Sequence, residues 1–278
     1  MRILLNKNFI RIFMLCLLVL SCGLPDVTSI YLEMNQPFIT KVISGHNKIT
    51  IEFEAQNNEP AFSGYNIYFG DSVNPQKYRL YNQQKTRPTI SAVATDIPTK
   101  YTYIIEAQKC YYSEGSGEIL TLTDSQLPNG IPVYVYVSAY QITPQNESYY
   151  YYDNYVQMAC PRSETLGASI SSSTPSITSG GRTLATVSVS GTSLNFKNDT
   201  VGGGIQPRSA NSLDDITFAP ITGYSTGEQT VNANTLYLVK AQGDGTNYNY
   251  GKIFVRSVSG TSATVDYCLQ LGANITNY

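Results

Sequence analysis

Few residues of this chain combine the type and spacing that chemistry needs. His46 is the single histidine, in Ser44-Gly45-His46-Asn47. A triad or a multi-histidine metal site would need it beside a nucleophile or a second ligand, and its neighbours suit an exposed turn instead. Two acidic pairs, Glu52 with Glu54 and Asp214 with Asp215, are of the type carboxylate catalysis uses. Glu52 and Glu54 alternate with Ile51 and Phe53, however, so they are expected to keep the outer face of a strand soluble. Gly202-Gly203-Gly204 lacks the lysine and helix of a phosphate loop. Asp244, Asn247 and Asn249 offer oxygens to Ca2+, but only one of the three is charged, too little for tight binding. The expectation is no metal, no cofactor and no catalytic residue.

Cysteine and tyrosine are the residues left to carry function. Of 23 tyrosines, 12 fall between residues 101 and 155, among them Tyr101, Tyr103 and the run Tyr149-Tyr150-Tyr151-Tyr152. In a strand, alternate rings of that run face opposite ways, so at least two cannot reach a core. Tyrosine offers large contact area at low entropic cost. Tyr101, Tyr103 and Tyr149, Tyr150, Tyr151 and Tyr152 are therefore the candidate binding residues; the competing reading is that tyrosine is this chain's general strand aromatic, standing in for the absent tryptophan.

The amino terminus addresses the chain. Arg2, Lys7 and Arg11 precede nine apolar residues, Ile12 to Leu20, and no acid occurs among residues 1–21. Nine residues of helix at about 1.5 Å each cannot cross a hydrocarbon core of about 30 Å. A basic head, a short apolar middle and a small residue before the cut describe a signal peptide. Val19-Leu20-Ser21-Cys22 resembles the lipobox of bacterial lipoproteins, with Leu20 where a smaller residue is usual. The resemblance implies cleavage after residue 21 and lipid on the Cys22 thiol, which ties the mature chain to a membrane. Gly23 rather than aspartate after Cys22 favours the outer membrane, facing the periplasm or the cell surface. Without the leader, 15 basic residues stand against 20 acidic ones, which argues against nucleic acid as a partner.

Beyond residue 35 no apolar pattern of period 3.6 persists for three turns, whereas alternating runs recur between turn residues. An all-β chain of two β-sandwich domains is expected. Residues 22–35 form a tether, residues 36–162 the first domain and residues 182–278 the second. Between them, 13 of the 19 residues of 163–181 are Ser, Thr or Gly, which describes a flexible linker; the other reading is a short edge strand. Strands are expected at residues 38–42, 48–55, 64–69, 77–81, 119–123, 132–140 and 150–158, and in the second domain at 185–190, 193–196, 215–218, 235–240, 251–258 and 263–269.

Pro37, the run Gly64-Tyr65-Asn66-Ile67-Tyr68-Phe69, and Leu127-Pro128-Asn129-Gly130 leading to Val137-Ser138-Ala139-Tyr140 resemble a fibronectin type III domain of the immunoglobulin-like class. The family's corner tyrosine falls at Val133 here, and its usual buried tryptophan is absent. Residues 36–162 exceed the roughly 100 residues of such a sandwich. The excess is expected near residues 83–118, as an inserted strand around Tyr101–Ile105. The hairpin from Leu236-Tyr237-Leu238-Val239-Lys240 through Asp244-Gly245 to Tyr250-Gly251-Lys252-Ile253-Phe254-Val255 is similar to one in secreted, haemophore-like bacterial β proteins.

In an oxidising compartment Cys110 and Cys160, both in the first domain, are the expected disulfide pair, with three reduced thiols as the alternative. Cys268 shares a strand face with Asp266 and Gln270 and is expected half-exposed. Together these features describe an exported, lipid-anchored, non-catalytic module that binds a glycan or protein. The rival readings are a haem or small-ligand binder and an exported hydrolase with an unrecognised carboxylate site.

Overall fold

The computed structural model describes residues 34–148, 155–242, 246–272 and 274–276, and every element among them is a β-strand. In the first half these are β1 (Phe38–Gly45), β2 (Lys48–Ala55), β3 (Phe62–Gly70), β4 (Tyr78–Tyr81), β5 (Ile90–Ser91), β6 (Thr99–Glu106), β7 (Tyr111–Glu114), β8 (Leu120–Thr121), β9 (Val133–Gln141), β10 (Asn146–Glu147) and β11 (Gln157–Ala159). The second half holds β12 (Ser163–Ser171), β13 (Ser176–Ser179), β14 (Arg182–Ser190), β15 (Ser193–Lys197), β16 (Gly204–Ser209), β17 (Gln229–Thr230), β18 (Thr235–Gln242), β19 (Tyr248–Ser259) and β20 (Ser262–Leu269).

β2 shows how sequence makes a strand here. Ile49, Ile51, Phe53 and Ala55 are buried while Lys48, Thr50, Glu52 and Glu54 are half-exposed, the alternation of a sheet wetted on one side. β1, β2 and β6 form one sheet; the other runs β10-β9-β3-β4-β7-β8, with β11 also on β9 and β5 also on β3. Between them lies a core of Ile49, Ile51 and Phe53 against Tyr65, Ile67, Phe69, Val135 and Val137, each contributing about 1.5–3 kcal/mol by leaving water.

The strand at Tyr101–Ile105 is no insertion. As part of β6 it pairs with β2 from Lys48↔Glu106 to Ala55↔Thr99, a full strand of the smaller sheet. The added elements are β7 and β8, which extend the other sheet beyond β4.

Residues 163–181, expected as a flexible linker, carry β12 and β13. β12 pairs with β20 and β13 with β14, so the segment belongs to both sheets of the second half. Ile170 and Ile177 are its apolar contribution to that core, and backbone hydrogen bonds hold the rest. Nor does a slack connection precede it. Cys160 N donates to Ser44 Oγ (3.0 Å), Arg162 N to Gly45 O (3.0 Å) and Gln270 Nε2 to Cys160 O (3.0 Å), so residues 160–162 are bonded to both halves. The described residues from Met34 onward form one compact unit.

The sheets of the second half run β12-β20-β19-β18-β16 and β13-β14-β15-β17, around Leu184, Phe196, Tyr237, Ile253 and Val265. The first of them is covered on its other face too, by Ala210, Leu213 and Ala219 against Leu236, Leu238, Phe254 and Cys268. This corrects two expectations. Residues 215–218 belong to no named strand, being part of that cover, and Cys268 is buried rather than half-exposed because the cover closes over it.

Candidate functional site

On β3 and β9 the register sets Asn66 opposite Ser138, Tyr68 opposite Tyr136 and Gly64 opposite Tyr140. Since Tyr65, Ile67, Val137 and Ala139 point into the core, these residues point to the outer face, which an antiparallel sandwich commonly leaves wet. Here it is closed: Asn66 and Ser138 have no exposed surface, and Tyr68, Tyr136 and Tyr140 keep at most 5%.

Side chains from four flanking segments do the closing. Glu147 of β10 accepts from Tyr68 Oη (2.8 and 2.7 Å to its two oxygens), from Ser138 Oγ (2.8 Å) and from Arg87 Nη2. The Arg87 guanidinium lies 4.3 Å from the Tyr140 ring centroid, within cation–π range. From β4, Arg79 stands opposite Tyr68 and 5.5 Å from its ring centroid. Gln36 receives Ser148 Oγ (2.7 Å) and Tyr136 Oη (3.3 Å) and donates to Val137 O.

Burial lowers the proton affinity of Arg87 and raises that of Tyr68. On Arg79 burial also works against the charge, but the Tyr68 and Tyr81 hydroxyls outweigh it and hold the guanidinium above its ordinary value.

Among the described residues, four buried polar atoms on this face have no hydrogen-bond partner: Asn66 Oδ1 and Nδ2, Arg79 Nε and Arg87 Nε. Each such atom costs about 1–3 kcal/mol relative to a satisfied one. An amide that can give and take, two guanidinium donors and a row of tyrosine rings can recognise a polyhydroxylated or partly acidic ligand. They supply no nucleophile paired with a base. Elsewhere, a cleft of about 120 Å3 at the junction of the halves, lined among others by Lys41, Met158 and Phe218, is small for a ligand.

The residues named from sequence fare differently. Cys22 and Tyr149, Tyr150, Tyr151 and Tyr152 lie outside the described residues, as does Asp244. Tyr101 and Tyr103 pack against the core rather than lining a binding surface. The Tyr101 ring stacks on Phe53 at 5.1 Å and tilts against Tyr65 at 4.9 Å, and Tyr103 Oη approaches Cys110 Sγ at 3.9 Å. Pairing of β6 along β2 turns them inward.

Cys110 and Cys160 are free, buried thiols, not a disulfide. Cys110 Sγ donates to Ile104 O (3.4 Å) within its own turn, while Cys160 Sγ faces Gln270 Oε1 (3.1 Å) at the junction. Burial raises both, Cys160 to about 12. His46 is exposed in the β1–β2 turn, its Nδ1 within 3.1 Å of Asn129 Nδ2. Glu54 pairs with Lys100 (3.2 Å), Asp214 with Arg162 (2.8 Å), and Asp215 accepts from Asn211 N and Ser212 Oγ. Asn249 Nδ2 donates to Gln270 O and Leu271 O (3.1 Å each), which is loop support rather than metal ligation.

Sequence reasoning missed Asn66, Arg79, Arg87 and Glu147. The available signal was Asn66 amid Tyr65, Ile67 and Tyr68, but a polar residue at an outward position is what a wet face also requires.

No protein-family model matches this chain, and no curated protein matches it. Among solved structures, the crystal structure of a DUF4466 family protein from Parabacteroides merdae is similar over 85% of this chain and 96% of its own, at 8% identity and a TM-score of 0.36, too loose a likeness to carry function.

Proposed function

We propose that this chain is an exported, non-catalytic binding module, held on a membrane by lipid on Cys22, that takes a glycan on the outer face of β3 and β9. The observation that carries the reading is the set of four polar atoms, unpartnered among the described residues, beside Tyr68, Tyr136 and Tyr140. Sugar hydroxyls both donate and accept, so one ring against these tyrosines could satisfy Asn66 and the two arginines together. Access requires Arg87 to swing off Tyr140, a movement of an exposed turn, residues 83–86. The grouping of β1, β2 and β6 against β9, β3 and β4 supports a fibronectin type III-like first half.

The discriminating variant is Asn66→Leu, close in size and without polar atoms. Removing two orphaned groups should stabilise the free protein by about 1–2 kcal/mol, while binding is lost. Affinity electrophoresis through gels holding neutral or acidic polysaccharides reads the binding, and urea denaturation the stability. Equal retardation of wild type and variant would sink the assignment, and retardation in no gel would turn the search to a protein ligand.

Anchoring is tested separately. A fatty-acid probe fed to expressing cells should label the wild type and leave Cys22→Ala unlabelled; equal labelling would remove the anchor.

A further inference from the structure

Three strands bring an amine, a thiol and a carboxylate into one row, its amine and thiol fully buried. Glu164 on β12 pairs with Cys268 on β20, and Cys268 with Lys252 on β19. Directly opposed residues of antiparallel strands hold their Cβ atoms about 5 Å apart, well within a lysine's reach of a cysteine. Cys268 and Lys252 have no exposed surface, and neither has Arg162, which reaches Glu164 (2.9 Å) and Asp214 (2.8 Å) through Nη2. Arg162 Nε and Nη1 are buried with no acceptor among the described residues. Lys252 Nζ is held by Leu213 O and by Ile216 O (2.9 Å).

We propose that Cys268 and Lys252 are the two ends of an oxidative sulfur–nitrogen crosslink, a sulfenamide, formed when the folded protein meets hydrogen peroxide. In the first step a peroxide oxygen is transferred to the Cys268 sulfur. The S–O bond forms and the O–O bond breaks, sulfur gives up two electrons, and the departing hydroxide leaves as water with the thiol proton. In the second step the Lys252 lone pair attacks the sulfenic sulfur. The S–N bond forms, the S–O bond breaks, and the hydroxyl departs as water with one amine proton. One thiol, one amine and one peroxide thus give the crosslink and two waters. The unused donors of Arg162 suit the departing oxygen.

The amine is ready for this role. Burial, and then the charge of Arg162, bring Lys252 down to about 7, against the opposing pull of Cys268, Asp214 and Glu164. A large share of the amine is therefore unprotonated at neutral pH. Sulfenic acids otherwise condense with another thiol or oxidise further, and Cys268 has an amine as its cross-strand partner. Entry of peroxide requires local opening of the cover, so the reaction is slow.

The test treats the folded full chain with hydrogen peroxide, digests it with trypsin without reductant, and maps the peptides by mass spectrometry. The expected product joins the Lys252 and Cys268 peptides, weighs two hydrogens less than their sum, resists cleavage at Lys252 and separates on adding dithiothreitol. Lys252→Arg and Cys268→Ser should each abolish it. Recovery of Cys268 as an unjoined thiol, sulfinic acid or sulfonic acid overturns the proposal. The wild-type map decides alone, so the test survives a variant that fails to fold.

Discussion

Replacing Gly64 with alanine should destabilise the protein by about 3 kcal/mol and withdraw Arg87 from the β3–β9 face. Gly64 has a φ of +141°, which L side chains rarely adopt, and the β3–β9 register shifts between Phe62 and Gly64. A Cβ there would fall on the Ile90 carbonyl oxygen and lie 2.7 Å from Pro88 Cγ. Backbone strain costs about 1–3 kcal/mol and overpacking a similar amount. Relief must come from moving residues 88–91 outward, because Gly64 is flanked by Tyr140 on β9 and Ser91 on β5. Arg87 would follow, leaving Glu147 and the Tyr140 ring. Gly191→Ala is the control: φ is +61°, open space surrounds it, and only about 1–2 kcal/mol should be lost. Urea midpoints for the two variants measure the difference, and equal losses would show that close approach of β5 to β3 is unimportant.

Between pH 7 and pH 9 stability should climb by about 2 kcal/mol, through Lys252. Its folded value of about 7 lies below the ordinary 10.5, chiefly because of burial. In that interval the unfolded chain binds the proton and the native chain releases it, so raising the pH favours the native state. The contribution is complete only above 10.5 and is lost as the pH falls through 7. Cys160 works the other way, since burial raises it from 9.0 to about 12, and burial moves Cys110 in the same direction. Above pH 9 the unfolded chain sheds thiol protons that the native chain keeps. A stability maximum near pH 9 is the expected result, read from urea midpoints at successive pH values. Lys252→Met should flatten the climb and leave the alkaline decline. A wild-type profile flat from pH 7 to 9 would mean that the buried amine holds its proton.

Much of the strand pattern was open to reading. Lys48–Ala55 is β2 to the residue, and the segments expected at 235–240, 251–258 and 263–269 lie within β18, β19 and β20. Each carries an apolar face at period two or a continuous apolar run, a local signal. Tyr101–Ile105 was legible as a strand but not as a neighbour of β2. The distinction reverses its meaning, turning expected surface rings into core. For residues 163–181 the linker reading fails and the edge-strand alternative holds: their composition offers little to bury, but β12 and β13 are held at the sheet edges by pairing with β20 and β14. Backbone hydrogen bonding needs no particular side chain, so composition is silent about it.

Side-chain alternation follows from backbone geometry alone, so the residue pattern already marks the described chain as built of strands and shows which residues of each strand share a face. Which outer faces are closed depends instead on contacts between elements. Asn66, Ser138, Lys252 and Cys268 sit at positions where alternation leaves solvent as the default. They are buried because segments outside their own strands lie over them: Glu147, nine residues beyond Ser138, and the Arg87 turn in one half, residues 210–219 in the other. A neighbour that arrives from outside the strand leaves no periodic trace in the strand it covers, so both the orphaned amide and the buried amine–thiol pair become visible only once the chain is folded.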